Sequence, residues 1–266
     1  MAATLDRVWL ETLFKVYTTG AEAAPRGMET LELLHHTVEV DMKWPVLTLS
    51  GRKLNYRFMA AEARWIIDGD DRVSTIAPYN PNIAKFSDDG ITFAGAYGPP
   101  ITEQIEYVVN MLATHSETRQ AGLTIWRPNP KPSNDIPCTV AVWFTIRNGR
   151  LNAHVVMRSN DVWLGMPYDV FNMSMLAYTV CGVLRMSHGL VYEPGTLYHT
   201  AFSRHIYKRN ADDAKTIIDN GNALFESNFG LRAPERLWQD PNGLMSTLQS
   251  LMGGTKGNPD AWWRTS

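Results

Sequence analysis

The sequence is poor in cysteine, nearly balanced in charge and without a long apolar run. Its 266 residues include two cysteines, and its formal charge of −2 corresponds to a sequence pI near 6.4. Two cysteines predict free thiols in a reducing compartment rather than a disulfide framework. The small net charge argues against a protein that coats nucleic acid, and no apolar run reaches the roughly 18 residues that a membrane-spanning helix needs. We therefore expect a cytoplasmic protein with no membrane partner and no direct nucleic-acid binding.

Common metal and phosphate motifs are missing as well. The chain has no CxxC pair, no HExxH, no GxxxxGK[ST] and no GxGxxG, so zinc-site, P-loop and dinucleotide-fold interpretations lack their usual motifs. His35 and His36 are adjacent, and adjacent residues of a strand point to opposite faces. We expect no metal site.

Apolar residues in helix and strand patterns fill most of the chain, with no Pro/Gly/Ser-rich linker between them. Hydrophobic residues make up 44% of the sequence, which is enough for a large core, and we expect one domain over residues 1–266. Strand patterns interleaved with helices predict an α+β layered fold. The predicted helices cover 4–18, 57–67, 101–113, a buried stretch from Pro167 and 212–225; the predicted strands lie within 31–49, 122–126 and 197–207, and in two runs joined by Asn148-Gly149.

One cysteine stands in an unusual place. Cys138 follows a proline at the start of the apolar run IPCTVAVWFTIRNG, residues 136–149. Alone, such a cysteine is more often a packing residue than a nucleophile. Its neighbours along the chain are AEARW (61–65), AYGPP (96–100), MRSNDVWLGMPYDVF (157–171) and RHIY (204–207). In this order and spacing the motifs resemble the thymidylate synthase family, with its pyrimidine hydroxymethylase branch, over roughly residues 26–207.

The resemblance implies a fold, a co-substrate and a partner. The fold is a layered α/β/α arrangement around a mixed, largely antiparallel central sheet. The co-substrate is 5,10-methylenetetrahydrofolate, with no metal, and the partner is a second copy of the chain in a homodimer. The carboxy-terminal third, including WWRTS at 262–266, matches the family poorly.

The chemistry implied by the resemblance depends on three side chains. Carbon 5 of a pyrimidine is a poor nucleophile, but a thiolate that adds to carbon 6 converts the ring into an enolate or enamine. The resemblance gives this role to Cys138. Arg158 is expected to lower the pKa of that thiol and, with Ser159, to bind the phosphate. Glu62 is expected to organise water and shuttle protons, a task that suits a buried carboxyl with a raised pKa.

Further binding residues follow from the resemblance alone. Two arginines reach across the dimer interface in the family. Arg119 matches one of them, and the position of the other is occupied by Gln120 here. The implied contacts are Arg26 and Arg119 for the phosphate, His205 and Tyr207 for the sugar 3′ hydroxyl, and Asp161, Leu164, Gly165, Phe86 and Tyr168 for the folate.

The base is indicated by Asp169. Thymidylate synthases carry asparagine after L-G-x-P-[FY], and its amide matches uracil. A carboxyl group can instead accept from the exocyclic amine of cytosine and share a proton with the ring nitrogen. Thr139, where the family usually has histidine, is a second departure. Asp169 could also be an ordinary first-turn Asp stabilised by the helix dipole.

The sequence therefore predicts a deoxycytidylate 5-hydroxymethylase, an activity that the resemblance connects with phages that modify their DNA cytosines and hence with a host cytoplasm. The methylating synthases shield the reacting methylene with two tryptophans. Only the second of these has an aromatic counterpart here, Phe86, so water is expected to add. Three alternatives stay open. The first is a CMP hydroxymethylase of nucleoside-antibiotic synthesis, which Ser159 disfavours. The second is a synthase that methylates dCMP or dUMP, and the third is a catalytically silent homologue that binds nucleotide or RNA.

Overall fold

A seven-stranded sheet forms the centre of the protein in the computed structural model, which describes residues 2–220 and 230–254. The strand order is β1-β2-β7-β5-β4-β3, with β6 paired to β7. Pairing is antiparallel except for β5–β7 and β6–β7, so the predicted α+β class is confirmed. The strands are β1 (Ala21–Ala23), β2 (Thr30–Asp41), β3 (Gly122–Thr124), β4 (Thr139–Arg147), β5 (Arg150–Met157), β6 (Asn160–Asp161) and β7 (Glu193–Tyr207).

Eight α-helices accompany this sheet in the described ranges. The longest, α5, is buried along most of its length and contacts β5 and β7 of the sheet as well as α2, α4, α7 and α8. Cys181 lies inside it, in the core, as the sequence predicts. The helices are α1 (Leu5–Thr19), α2 (Tyr56–Ile67), α3 (Val73–Ile76), α4 (Gly98–Thr114), α5 (Met166–His188), α6 (Ala211–Asn220), α7 (Arg236–Gln239) and α8 (Pro241–Gly253).

The two faces of the sheet differ in exposure. Along β4 and β5, every second side chain is buried under the helices, as period-two alternation requires. The opposite face carries half-exposed polar and aromatic groups, including His154 stacked on Tyr198 with ring centroids 4.7 Å apart. Trp143, on the same face, is 40% exposed. The sheet thus has one packed face and one face that remains accessible in the single chain.

The β4–β5 hairpin sets the position of Cys138. Asn148 and Gly149 have φ values of 52° and 70°, the left-handed pair that matches the twist of a two-residue hairpin. From this turn the register runs back to a pairing of Thr139 with Met157. Cys138 therefore lies beside Arg158, whose backbone N–H donates to the Cys138 carbonyl at 2.8 Å.

Most predicted elements are present, with shifted ends. The strand expected within 31–49 ends at Asp41, well before Pro45. Asn55 begins α2 with a side-chain cap on the Phe58 N–H, which explains why this helix starts near the predicted residue. The predicted end of α6, at 225, lies outside the described residues. No helix in the described ranges is long and apolar enough to cross a membrane.

Candidate active site

A cavity of about 150 Å³ lies between α2, α5 and the loop that precedes α4. Three carboxyl groups and an amide form its polar wall, and aromatic and aliphatic side chains form most of the rest. It brings together Glu62, Asp169 and Phe86 of the predicted residues, with Trp65, Ile66, Ile83, Phe93, Gly95, Ala96, Tyr97, Asp135 and Asn172.

Cys138 lies close to this cavity with its side chain half-buried. Arg158 holds the segment before it, because its Nε donates to the Pro137 carbonyl at 3.0 Å and a terminal nitrogen donates to the Ile136 carbonyl at 2.9 Å. Burial raises the pKa of the Cys138 thiol above its ordinary value, and the charges of Arg158 and, more weakly, Arg26 oppose that rise. The prediction of a lowered pKa is therefore wrong for the free chain. Desolvation is the largest of these effects, and the charges of Asp169 and Asp135, when ionised, raise the pKa of the thiol further.

Glu62 projects from α2 into the cavity. Asn172 Nδ2 donates to its Oε2 at 2.7 Å, and burial raises the pKa of Glu62 to about 7 despite that hydrogen bond. A carboxyl group with this pKa exchanges protons readily near neutral pH. The predicted raised pKa is confirmed, and the catalytic role of Glu62 remains a prediction.

The pKa of Glu62 has a measurable consequence for stability. Between pH 4.5, the ordinary pKa of glutamate, and about 7, the folded chain holds a proton that the unfolded chain has released, so stability falls as pH rises through this window. Each pH unit costs about 1.4 kcal/mol. Glu62→Gln keeps an acceptor for Asn172 but carries no charge, and we expect it to be more stable than the parent by on the order of 3 kcal/mol at alkaline pH and by a small part of that near pH 5.

Urea unfolding of both chains at about pH 5 and pH 8.5 measures this difference. Glu103→Gln, on the exposed side of α4, is the control for removal of a carboxylate. A stability difference between Glu62→Gln and the parent that does not change with pH contradicts the prediction.

Asp169 begins a buried chain of hydrogen bonds. Asn160 Nδ2 donates to Asp169 Oδ2 at 2.7 Å, and a terminal nitrogen of Arg204 donates to Asn160 Oδ1. Burial, followed by the nearby charge of Glu62, raises the pKa of Asp169 to about 8. The carboxyl group is therefore largely protonated at neutral pH. Asp169 lies in the first turn of α5, but its side chain bonds to Asn160 and does not cap the helix.

Asp161 leaves one carboxylate oxygen for a ligand. Its Oδ1 accepts from the backbone N–H groups of Trp163 and Leu164 at 2.8 and 3.0 Å, while Oδ2 is buried and has no hydrogen-bond partner among the described residues. Burial raises the pKa of this carboxyl group. A buried acceptor without a donor is costly, and an N–H of a bound pterin ring would satisfy it. The residues therefore fit a folate.

The other residues that the sequence assigns to the folate are Leu164, Phe86, Gly165 and Tyr168. Leu164 and Phe86 are 44% and 46% exposed, so both side chains are accessible to a ligand. A Cβ added at Gly165 would lie 3.2 Å from Asp169 Oδ2, so glycine leaves room for that carboxyl group. Tyr168 accepts a hydrogen bond from the Asn55 N–H at 3.1 Å and thereby connects α5 to the start of α2.

The predicted phosphate and sugar residues lie at the ends of β2, β5 and β7. Arg26 is exposed in a turn, Pro25–Gly27, with a φ of 55°, and Ser159 is half-buried beside Arg158. His205 is buried, with its ring 5.3 Å from that of Tyr207 in an edge contact. Arg119 is not part of this group, since it lines a separate groove of about 730 Å³ with Arg147, Arg150 and Tyr198, on the accessible face of the sheet.

Several residues at the site were not predicted from the sequence. The Tyr97 hydroxyl accepts from the Thr139 N–H at 3.2 Å, next to Cys138, and burial raises its pKa well above the ordinary value. Asn172 could have been found, because it follows Asp169 by three residues on a helix and thus shares its face. Nothing in the sequence pattern identifies Asn160 or Arg204, whose roles depend on the pairing of β6 with β7.

The chain is similar in sequence to known proteins. The chain matches the description "Thymidylate synthase" over residues 7–227. It is also similar to a deoxyuridylate hydroxymethyltransferase of Bacillus phage SP01, with 29% identity over 223 residues that cover 76% of this chain and 56% of the phage protein. The chain thus spans little more than half the length of that relative.

Proposed function

The chain belongs to the thymidylate synthase family, and from this premise we propose that it is a folate-dependent deoxycytidylate 5-hydroxymethylase. It converts dCMP, methylenetetrahydrofolate and water into 5-hydroxymethyl-dCMP and tetrahydrofolate. The coarser part of the proposal, transfer of a one-carbon unit to a pyrimidine nucleotide, rests on the family and on the phage relative. The finer part, the base and the product, rests on the cavity.

Cys138 begins the reaction. Its thiol first releases its proton to solvent, and the resulting thiolate forms a bond to carbon 6 of cytosine. The electrons of the 5,6 double bond shift towards carbon 4, and the ring nitrogen N3 takes up a proton. Asp169, protonated at neutral pH, supplies that proton and becomes a carboxylate. Carbon 5 is then nucleophilic. The folate, held by Asp161, supplies the one-carbon unit when bound.

Asp169 is the observation that carries the choice of base. In its protonated form its hydroxyl donates to N3 of cytosine while the other oxygen accepts from the exocyclic amine. Its pKa of about 8 lies near the operating pH, where proton transfer is most effective. An asparagine amide can donate a hydrogen bond at this position but cannot release a proton.

Water addition at the end of the reaction is supported by the polar wall of the cavity. Glu62 and Asn172 form a hydrogen-bonded pair there, and Glu62 can take a proton from water as that water adds to the exocyclic methylene. Phe86 is half-exposed and leaves this side of the cavity less shielded than the two tryptophans expected in the methylating synthases.

Hydroxymethylation of dUMP is the second candidate, because the similar phage protein carries that name. A neutral carboxyl group can present its hydroxyl and its carbonyl oxygen in either order. Protonation of Asp169 alone therefore accommodates uracil as well as cytosine, and the choice between the bases depends on what orients this carboxyl group.

The test is one incubation of the protein with methylenetetrahydrofolate and an equal mixture of dCMP, CMP and dUMP, with the products read by mass. One added hydroxymethyl group on dCMP alone supports the proposal. The same group on dUMP supports the second candidate, and on CMP it supports a ribonucleotide enzyme. A methyl group, with dihydrofolate as the second product, contradicts hydroxymethylation.

The expected homodimer gives a further prediction. If Arg119 binds the phosphate held by a partner chain, Cys138→Ser and Arg119→Ala damage the same site of a mixed dimer, and its other site is intact. Mixing and exchanging the two variants is expected to restore about a quarter of the parental activity, since random pairing makes half of the dimers mixed. The activity is measured at dCMP concentrations below KM, where loss of a phosphate ligand matters most.

The control is each variant mixed with itself under the same exchange conditions. Activity no greater than the average of the separate variants contradicts a shared site.

A further inference from the structure

Arg204 is a charged side chain with no exposed surface. Its terminal nitrogens donate to Asn160 Oδ1, to the His199 carbonyl at 2.9 Å and to the His36 carbonyl at 3.4 Å. Burial lowers its pKa to about 10, so it remains protonated at neutral pH. No carboxylate in the described ranges lies within ion-pair distance of it. When Asp169 ionises, its negative charge raises the pKa of Arg204, with Asn160 hydrogen-bonded to both groups.

The pairing of strands brings these groups together. Asn160 and Arg204 are direct partners in the parallel β6–β7 pair, so their side chains lie side by side. Asn160 is 2% exposed, and its amide nitrogen contacts both Asp169 Oδ2 and Met157 Sδ, the latter at 3.6 Å. Every polar atom of the Asn160 side chain is thus engaged.

The direction of these hydrogen bonds follows from Arg204. A guanidinium group can only donate, so the oxygen of the Asn160 amide must face it. The amide nitrogen must then face Asp169, where it can only donate. Asp169 Oδ2 is therefore an acceptor in every protonation state, and a proton on this carboxyl group is favoured on Oδ1.

We propose that Asn160 and Arg204 form a positioning relay that keeps Asp169 Oδ2 as a hydrogen-bond acceptor, so that the proton lies on Oδ1 and the site accepts one base only. This inference rests on the function proposed above, under which that base is cytosine. Oδ1–H gives its proton to N3 as the sulfur of Cys138 adds to carbon 6, and Oδ2 accepts from the exocyclic amine. Uracil, with its ring N–H and O4 in the opposite order, meets donor with donor and acceptor with acceptor.

Other charged groups around Asp169 act on how readily it ionises. They are Glu62 from α2, Asp161 from β6, Arg204 from β7, and the neighbouring Cys138 and Tyr97. Only Asn160 donates a hydrogen bond to it among the described residues. A substitution at Asn160 can therefore change which oxygen of Asp169 carries the proton while the charged groups named above stay in place.

Asn160→Asp is that substitution. The new carboxylate keeps an acceptor for Arg204, as an ion pair, so the buried arginine retains its partner. It loses the donor to Asp169 and instead accepts from it, which draws the proton to Oδ2 and away from the base. Asn110→Asp adds the same charge on the exposed side of α4 and is the matched control.

The experiment measures kcat/KM for dCMP and for dUMP in the parent, Asn160→Asp and Asn110→Asp, and the calorimetric Kd of both nucleotides without folate. We expect Asn160→Asp to lower the dCMP-to-dUMP ratio of kcat/KM by about 10- to 100-fold, the usual effect of one misdirected buried hydrogen bond. The Kd ratio is expected to move in the same direction. The alkaline limb of the kcat profile should shift to higher pH, because a carboxylate replaces a donor beside Asp169.

A merely structural Asn160 gives a different result. Both nucleotides then lose activity and affinity in parallel, the ratios stay within about threefold of the parent, and the relay is overturned. If the parent prefers dUMP, the cytosine assignment fails, but the relay is still tested, because Asn160→Asp must then reduce the preference for dUMP. If Asn160→Asp does not fold, Arg204→Lys, which keeps the charge and loses the planar fork, is measured in the same assays, and an unchanged ratio overturns the relay.

Discussion

Replacing Cys138 by serine is expected to lower hydroxymethylation of dCMP by ~10⁴-fold or more, while the Kd for dCMP changes by less than about threefold. A serine hydroxyl has nearly the same shape but is a far weaker nucleophile, and the cavity holds no histidine to activate it among the described residues. The segment that carries residue 138 is held through backbone carbonyls by Arg158. Its position therefore does not depend on the sulfur.

Mass analysis of the intact protein measures the covalent step separately from turnover. After incubation with 5-fluoro-dCMP and methylenetetrahydrofolate, the parent is expected to gain one nucleotide adduct and Cys138→Ser none. Cys181→Ala is the matched control, because Cys181 is the other thiol and is buried in α5. An adduct that survives in Cys138→Ser, or that maps to the peptide containing Cys181, refutes the assignment of the nucleophile.

The elements that sequence patterns predict well are those defined by local chemistry. The Asn148-Gly149 turn requires two left-handed residues, and only a few residue types accept them. The buried helix α5 follows from its apolar composition and from Pro167 at its start. The end of β2 at Asp41 was not predicted, because the apolar residues continue beyond it and only tertiary packing stops the pairing.

At the site, the sequence predicts which side chains occur but not what surrounds them. Glu62, Asp169 and Phe86 line one cavity as expected, although they come from three distant segments. The pKa of Cys138 was predicted with the wrong sign. The resemblance to the family places an arginine beside the thiol, whereas the burial that outweighs that charge cannot be read from the sequence. Arg204 was missed for the same reason, since its importance depends on the register of β6 against β7.

Asp169→Asn is expected to lower kcat for dCMP by ~10³-fold or more, while the Kd for dCMP rises by less than about tenfold. Asn160 donates to residue 169 in either case, so the new amide turns its oxygen towards Asn160 and its nitrogen takes the place of the Oδ1 hydroxyl. The hydrogen-bond pattern that binds cytosine is then largely preserved. The proton that N3 needs when Cys138 adds to carbon 6 is lost, since an amide does not release one at neutral pH.

Rates and affinities for both nucleotides separate these two effects. Turnover of dUMP does not require a proton at N3, so the dCMP-to-dUMP ratio of kcat is expected to fall chiefly through the dCMP value. The alkaline limb of the parental kcat profile, set by a carboxyl group whose pKa is about 8, should disappear in Asp169→Asn, because the acid form that is lost above that pKa no longer exists. Asp68→Asn, which removes an exposed carboxylate after α2, is the control and should keep the limb. A variant that retains kcat on dCMP and loses only affinity would mean that Asp169 recognises the base without protonating it.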